Sequence, residues 1–329
     1  MSQENFQYWK ELVGLEDTDF PQLIEIGASN IDRVSIVETR QSEIINSVAA
    51  NERVDIQVQP GWGATTLFRF LEHHYKKEGL TLLLSFDFEA NPLDGEMTEA
   101  EFVFRTKWKL ADSIANMMRE RPLQRLYMYD VFCFEDTGET PWVGHLRKRR
   151  KALDECRSDP DRFYREFPFF ARCKIEDCIN YFLKNFQLNC TFLYLFPRKV
   201  EEDALLELVA MIKNIYDGKD IAPAAMREVY ICTPKLFSKI KGVYARPFCD
   251  ILYNRYSPAE IYSMLVSTYS NDYSSFTTVN DVFSEEYIAR AYSEKLTMKK
   301  IMDKVKEVII DSLQGATNTI PYKLTLSGK

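Results

Sequence analysis

Short apolar runs alternate with amphipathic stretches along most of this chain. Residues 41–51 put Ile44, Ile45 and Val48 on one face of a helix, and a β-rich run follows at 54–59. A glycine-containing turn comes next at 60–63, then a helix over 65–77 with Leu67, Phe68, Phe70 and Leu71 as its apolar positions. Further strands are predicted at 80–88, 190–196, 228–233 and 249–253. Each is a short apolar run without a wide polar face, the pattern of parallel strands covered on both sides. Helices at 99–120, 174–186 and 201–216 separate them. That alternation predicts a parallel α/β sheet with right-handed crossovers.

Beyond the fifth strand the pattern turns helical. Ser257 stands at an N-cap, Pro258 at the first helical position and Glu260 three residues after the cap, a capping box that opens a helix over 257–267. Ser284 caps a second helix with Glu285 and Glu286 in its first turn, and 297–313 forms a third with Ile301, Val305, Val308, Ile309 and Leu313 on one stripe. Alternation at Tyr322, Leu324 and Leu326 leaves the tail unassigned. The expected organisation is N-terminal lead-in helices at 1–53, an α/β domain at 54–253, a helical lid at 254–313 and a tail at 314–329.

One stretch, 121–170, breaks the alternation and reads as an insertion. It gathers the aromatics Tyr127, Tyr129, Phe132, Phe134, Trp142, Phe163, Tyr164, Phe167, Phe169 and Phe170 beside the basic run His145, Arg147, Lys148, Arg149, Arg150 and Lys151. Charge runs of this kind ordinarily face water, and the functional alternative is a patch for nucleic-acid phosphate with nearby aromatics stacking on bases.

Composition narrows the picture without deciding it. With 329 residues, 46% of them hydrophobic, the chain can bury a large core, and its formal charge of −7 provides no global attraction to nucleic acid or anionic lipid. Seven cysteines, an odd number without CxxC spacing, fit buried free thiols of a reducing compartment. No stretch approaches 18 uninterrupted apolar residues and the first ten residues lack a signal core, so no membrane contact and a cytoplasmic location are expected. Cys173, Cys178 and His145 match no zinc spacing, and three histidines without a local signature offer no nucleophile triad.

The chemistry rests on the turn after the first strand. A phosphate loop of the form GxxxxGK[ST] cradles phosphates on backbone N–H groups and a helix N-terminus, with lysine neutralising charge and Ser/Thr holding magnesium. Here Val58, Gln59, Pro60, Gly61, Trp62, Gly63, Ala64, Thr65 and Thr66 occupy that segment. Gly63 and Thr65 stand where the pattern wants them, Gly61 is an extra glycine, Val58 replaces the first glycine and Ala64 replaces the lysine. The nucleotide-binding candidates are therefore Pro60 to Thr66, with ATP or ADP and magnesium bound weakly or not at all.

In the order of its motifs the chain resembles AAA+ ATPases, most of all their archaeal initiator and STAND-like branch, across about 36–313. Five segments carry this: Val37 to Ile44 as the R-x-x-E-I segment before the first helix, Gln59 to Thr66 as the phosphate loop, Asn189 to Pro197 as the Walker B strand, Glu228 to Pro234 as the sensor-1 strand, and Arg246-Pro247-Phe248 with Tyr256 to Ile261 as the arginine-box strand leading into the lid. The resemblance implies Thr233 near the sensor-1 position, Arg246 as the arginine finger and Lys299 or Lys300 in place of the sensor-2 arginine. Where the family ends its Walker B strand in acids, this chain has Phe196-Pro197. The implied function is a nucleotide-responsive or scaffolding module with impaired or absent hydrolysis, working through a protein partner or homo-oligomer. The alternatives are an active ATPase whose lysine has been replaced by Ala64, and a DNA-associated regulator using the basic insertion.

Overall fold

In a computed structural model, described for residues 38–78, 81–90, 98–120, 142–186, 188–197, 202–216, 226–244, 248–253, 256–261, 285–298 and 300–301, the chain forms an α/β fold. The elements are α1 (Glu38–Ala50), β1 (Arg53–Val58), α2 (Ala64–Glu78), β2 (Thr81–Asp87), α3 (Glu99–Glu120), α4 (Trp142–Glu155), α5 (Pro160–Glu166), α6 (Pro168–Arg172), α7 (Ile175–Phe186), β3 (Asn189–Leu195), α8 (Glu202–Tyr216), β4 (Met226–Cys232), α9 (Pro234–Val243), β5 (Cys249–Tyr253) and α10 (Glu285–Ser293). The five strands make one sheet in the order β2-β3-β4-β1-β5. The β1/β4, β3/β4 and β2/β3 ladders are parallel, with Ile56 opposite Ile231, Leu193 opposite Val229 and Leu84 opposite Phe192. Parallel strands must be covered on both faces, and β1 to β4 are accordingly almost wholly buried.

The described residues fall into two compact units. The larger comprises those of Ser47–Gln57 and Leu71–Ile251. Its core is aromatic: Phe86, Phe88, Phe102, Phe192, Tyr194, Phe196 and Tyr230 are buried together, with the Phe196 and Tyr230 rings stacked at 5.9 Å. The expected insertion contributes Leu153, Cys156, Phe163, Phe167 and Phe170 to this same core. Phe163, Phe167 and Phe170 have no exposed surface, and Trp108 donates its indole N–H to the Leu153 carbonyl at 2.9 Å. These three phenylalanines are core residues and not faces on which bases stack. Two prolines explain the break in alternation, since Pro160 and Pro168 each open a short helix at its first turn.

Two buried polar groups of this unit are of consequence for β1. The Arg53 guanidinium donates to Glu228 at 2.5 Å and lies over the Tyr244 ring, so β1 and β4 are tied by an ion pair as well as a ladder. Asp55, fully buried in the middle of β1, accepts from the Cys232 thiol at 3.3 Å, and its Oδ2 has no partner. Burial pushes its carboxyl up to about 7. The six described cysteines are all free thiols, and burial drives Cys178 up to about 12.

The smaller unit comprises the described residues of Met1–Asn46, Val58–Phe70 and Leu252–Lys329. Its helical turn at 257–261 begins where the sequence signals place it. Ser257 Oγ accepts from the Glu260 N–H at 3.2 Å while Glu260 Oε2 accepts from the Ser257 N–H at 2.6 Å, which is the reciprocal capping box. Most of the expected 257–267 and 297–313 helices, the tail, and residues 121–141 of the insertion lie outside the described residues.

Candidate functional site: the glycine loop

The loop leaves the end of β1 at Gln59 and enters α2 at Ala64, one residue earlier than the expected start at Thr65. Two of its residues need glycine. Gly61 and Gly63 have φ of 82° and 93°, the left-handed region that costs any L side chain roughly 1–2 kcal/mol. Between them Trp62 turns inward. Its N–H donates to the Gln59 carbonyl at 3.1 Å, its side chain is only 2% exposed, and its ring meets Tyr292 of α10 edge to face at 6.3 Å. The first turn of α2 then closes with Leu67 N–H donating to the Gly63 carbonyl at 2.9 Å.

Thr297 lies directly against the loop. A Cβ added to Gly61 would stand 2.8 Å from Thr297 Cβ, closer than real side chains come, whereas one added to Gly63 would meet nothing nearer than Thr66 at 3.8 Å. Thr297 is fixed by its own helical turn, since its carbonyl accepts from Ile301 N–H at 2.9 Å and its hydroxyl from Lys300 N–H at 3.4 Å. The sequence exposes the glycines of this loop. It does not expose the packing of Trp62 and Thr297, because the partners lie more than 200 positions downstream.

A second contact in the same unit joins Arg40, just ahead of Ile44, to the capped turn at 257–261. Its guanidinium makes two parallel bonds to Glu260, Nε to Oε1 at 3.0 Å and Nη2 to Oε2 at 3.1 Å, while lying 4.7 Å over the Tyr256 ring. Glu260 thus caps its own helix and receives Arg40 together. Hydrogen bonds from Ser257 and Arg40 hold its carboxyl below the usual range, against the opposing effect of burial. Both residues sit in quoted family segments, yet periodicity and spacing gave no sign that they touch.

The other candidates separate. Thr233 caps α9, its hydroxyl accepting from Leu236 N–H at 3.4 Å. Arg246 and Lys299 lie outside the described residues, and Lys300 is exposed. In the basic run, Arg149 is bound to Glu166 and stacked 4.7 Å over Phe167, and Arg150 pairs with Asp112 at 3.0 Å. Arg147, Lys148 and Lys151 remain exposed, with Lys151 3.9 Å from Glu155. Among the described residues no group of three His, Cys, Asp or Glu side chains is placed to hold a metal ion, and no helix is long and apolar enough to cross a membrane.

The strand order and the parallel ladders define the class: an α/β fold built on a five-stranded sheet, with a glycine turn leaving the end of β1. No family model matches the chain, and no curated protein matches it. Among solved structures it is similar to Cdc6p from Pyrobaculum aerophilum, at 11% identity and a TM-score of 0.39, over 94% of this chain and 66% of that one. The chain therefore spans just under two thirds of the length of that protein.

Proposed function

We propose that this chain is an AAA+-like module in which the phosphate loop has become a structural joint, and that it works by assembly or by binding a protein partner without efficient ATP hydrolysis. One observation carries the reading: Trp62 and Thr297 pack into the loop that a nucleotide phosphate would use. The side chains present do not fit a nucleotide and magnesium held for phosphoryl transfer. Ala64 supplies no ammonium, and β3 runs out into Phe196 and Pro197 where an acidic pair would be needed. Electrostatic contacts of the missing kind are worth about 3–4 kcal/mol each in a transition state, so their joint loss takes turnover well below that of a working ATPase.

Binding and hydrolysis of ATP, measured beside the mass of the particle with and without nucleotide, test the reading. The expected result is negligible turnover and a mass that nucleotide does not change. Magnesium-dependent hydrolysis at ordinary AAA+ rates would refute it.

A further inference from the structure

The larger unit contains a polar cleft of about 540 Å³ between α2, β2, α3 and the end of α4, and nothing in the proposed function uses it. Four cations face three carboxylates along its wall. Lys76 pairs with Glu72 at 3.3 Å, and Arg150 pairs with Asp112 at 3.0 Å and Asp154 at 3.9 Å, so all three carboxylates are engaged.

Lys109 and Arg157 are left. The Lys109 ammonium lies 5.1 Å over the Phe86 ring and the Arg157 guanidinium 5.5 Å over Trp108, and among the described residues neither forms an ion pair. The indole that carries Arg157 is itself fixed by its bond to Leu153. Glu72 and Asp112 attract Lys109 from a distance, but both are already bonded to other cations, so two cations on aromatic supports in one wall are left outside any ion pair.

We propose that Lys109 and Arg157 form the binding site of a small phosphate ester, its phosphate held by the two cations and its organic part lodged in the cleft beside Trp108. A phosphate monoester carries a charge of roughly −1.5 to −2 near pH 7, which matches two cations outside ion pairs better than a single carboxylate does. Arginine brings a planar fork and lysine a point charge, both suited to phosphate oxygens. The cleft is also larger than a bare ion needs and falls within the 300–1,000 Å³ or so usual for small-molecule sites. Burial pushes the Lys109 amine down to about 8 against the partly opposing pull of Glu72 and Asp112, and a bound anion would raise it again.

Acylation of the full chain at pH 8, read lysine by lysine with mass spectrometry, tests the site without requiring any variant. Lys109 is expected to react in buffer and to be protected at least about fivefold by AMP, less by inorganic phosphate, and not by chloride at matched ionic strength, while the exposed Lys151 reacts alike throughout. Arg157→Gln should remove most of the AMP protection. Equal protection by chloride or by inorganic phosphate, or AMP protection that survives Arg157→Gln, would overturn the proposal. The readout is local to Lys109, so its failure leaves the reading of the glycine loop intact, and failure of that reading leaves this one intact.

Discussion

The glycine loop and the Lys109 cleft are opposites. The loop has the backbone of an anion cradle, two left-handed glycines running into a helix N-terminus, but no cationic side chain, and its interior is packed with protein. The cleft has cations to spare and open volume, but no glycine turn. Backbone shape and charge, which a working phosphate loop unites, are separable, and a glycine pattern alone reports the first without the second. The practical difference is that loop residues should hold the fold together while cleft residues should be dispensable to it.

Trp62→Ala should show this most strongly. Removing a buried indole costs about 3–5 kcal/mol, visible as a large loss of denaturation midpoint. A surface-like cost below about 1 kcal/mol would mean that the loop is not a joint.

The two glycines sharpen the point. Gly61→Ala adds a left-handed strain and a collision with Thr297, together about 3 kcal/mol, whereas Gly63→Ala carries the strain alone, about 1–2 kcal/mol. Combining Gly61→Ala with Thr297→Gly should return part of the difference, because only the collision is relieved.

Asp55 provides a pH-dependent contrast on the strand that feeds the loop. Its folded carboxyl titrates near 7 while a free aspartate titrates near 3.9, so between those values the folded chain holds a proton that the unfolded chain lacks. Its contribution is complete below the lower value and is lost as pH rises through 7, removing about 2 kcal/mol between pH 5 and pH 7. Asp55→Asn should flatten that limb in denaturation measured across the range. An unchanged slope would show that another group is responsible.

Arg150→Ala in the cleft should do least. Its ion pairs are partly exposed, and such pairs contribute less than about 1 kcal/mol. A loss of several kcal/mol would erase the distinction between cleft and loop. Arg149→Ala should cost more than Arg150→Ala, because its guanidinium packs on the buried Phe167 and bonds to Glu166.

What the sequence reveals follows from how local each signal is. Strands β1 to β5 appear as short apolar runs, the loop as glycines between a strand and a helix, and the helical turn at 257 as a Ser-Pro-x-Glu cap, because each is written within about ten residues. The α5 and α6 helices were hidden because two prolines cut the periodicity, and the buried role of Phe163, Phe167 and Phe170 was hidden by the basic run that precedes them. The Trp62–Tyr292 and Arg40–Glu260 contacts, like the Lys109 cleft, join segments far apart in the chain, and no local pattern encodes them.

The central claim, that this loop is a joint and not a nucleotide site short of one charge, is tested most directly by the ATP hydrolysis rate of Ala64→Lys beside the parent chain. Restoring the ammonium should leave both at the level of the buffer blank. Turnover by Ala64→Lys at the rate of an ordinary AAA+ enzyme would contradict the account and identify the chain as an ATPase that lacked only its lysine.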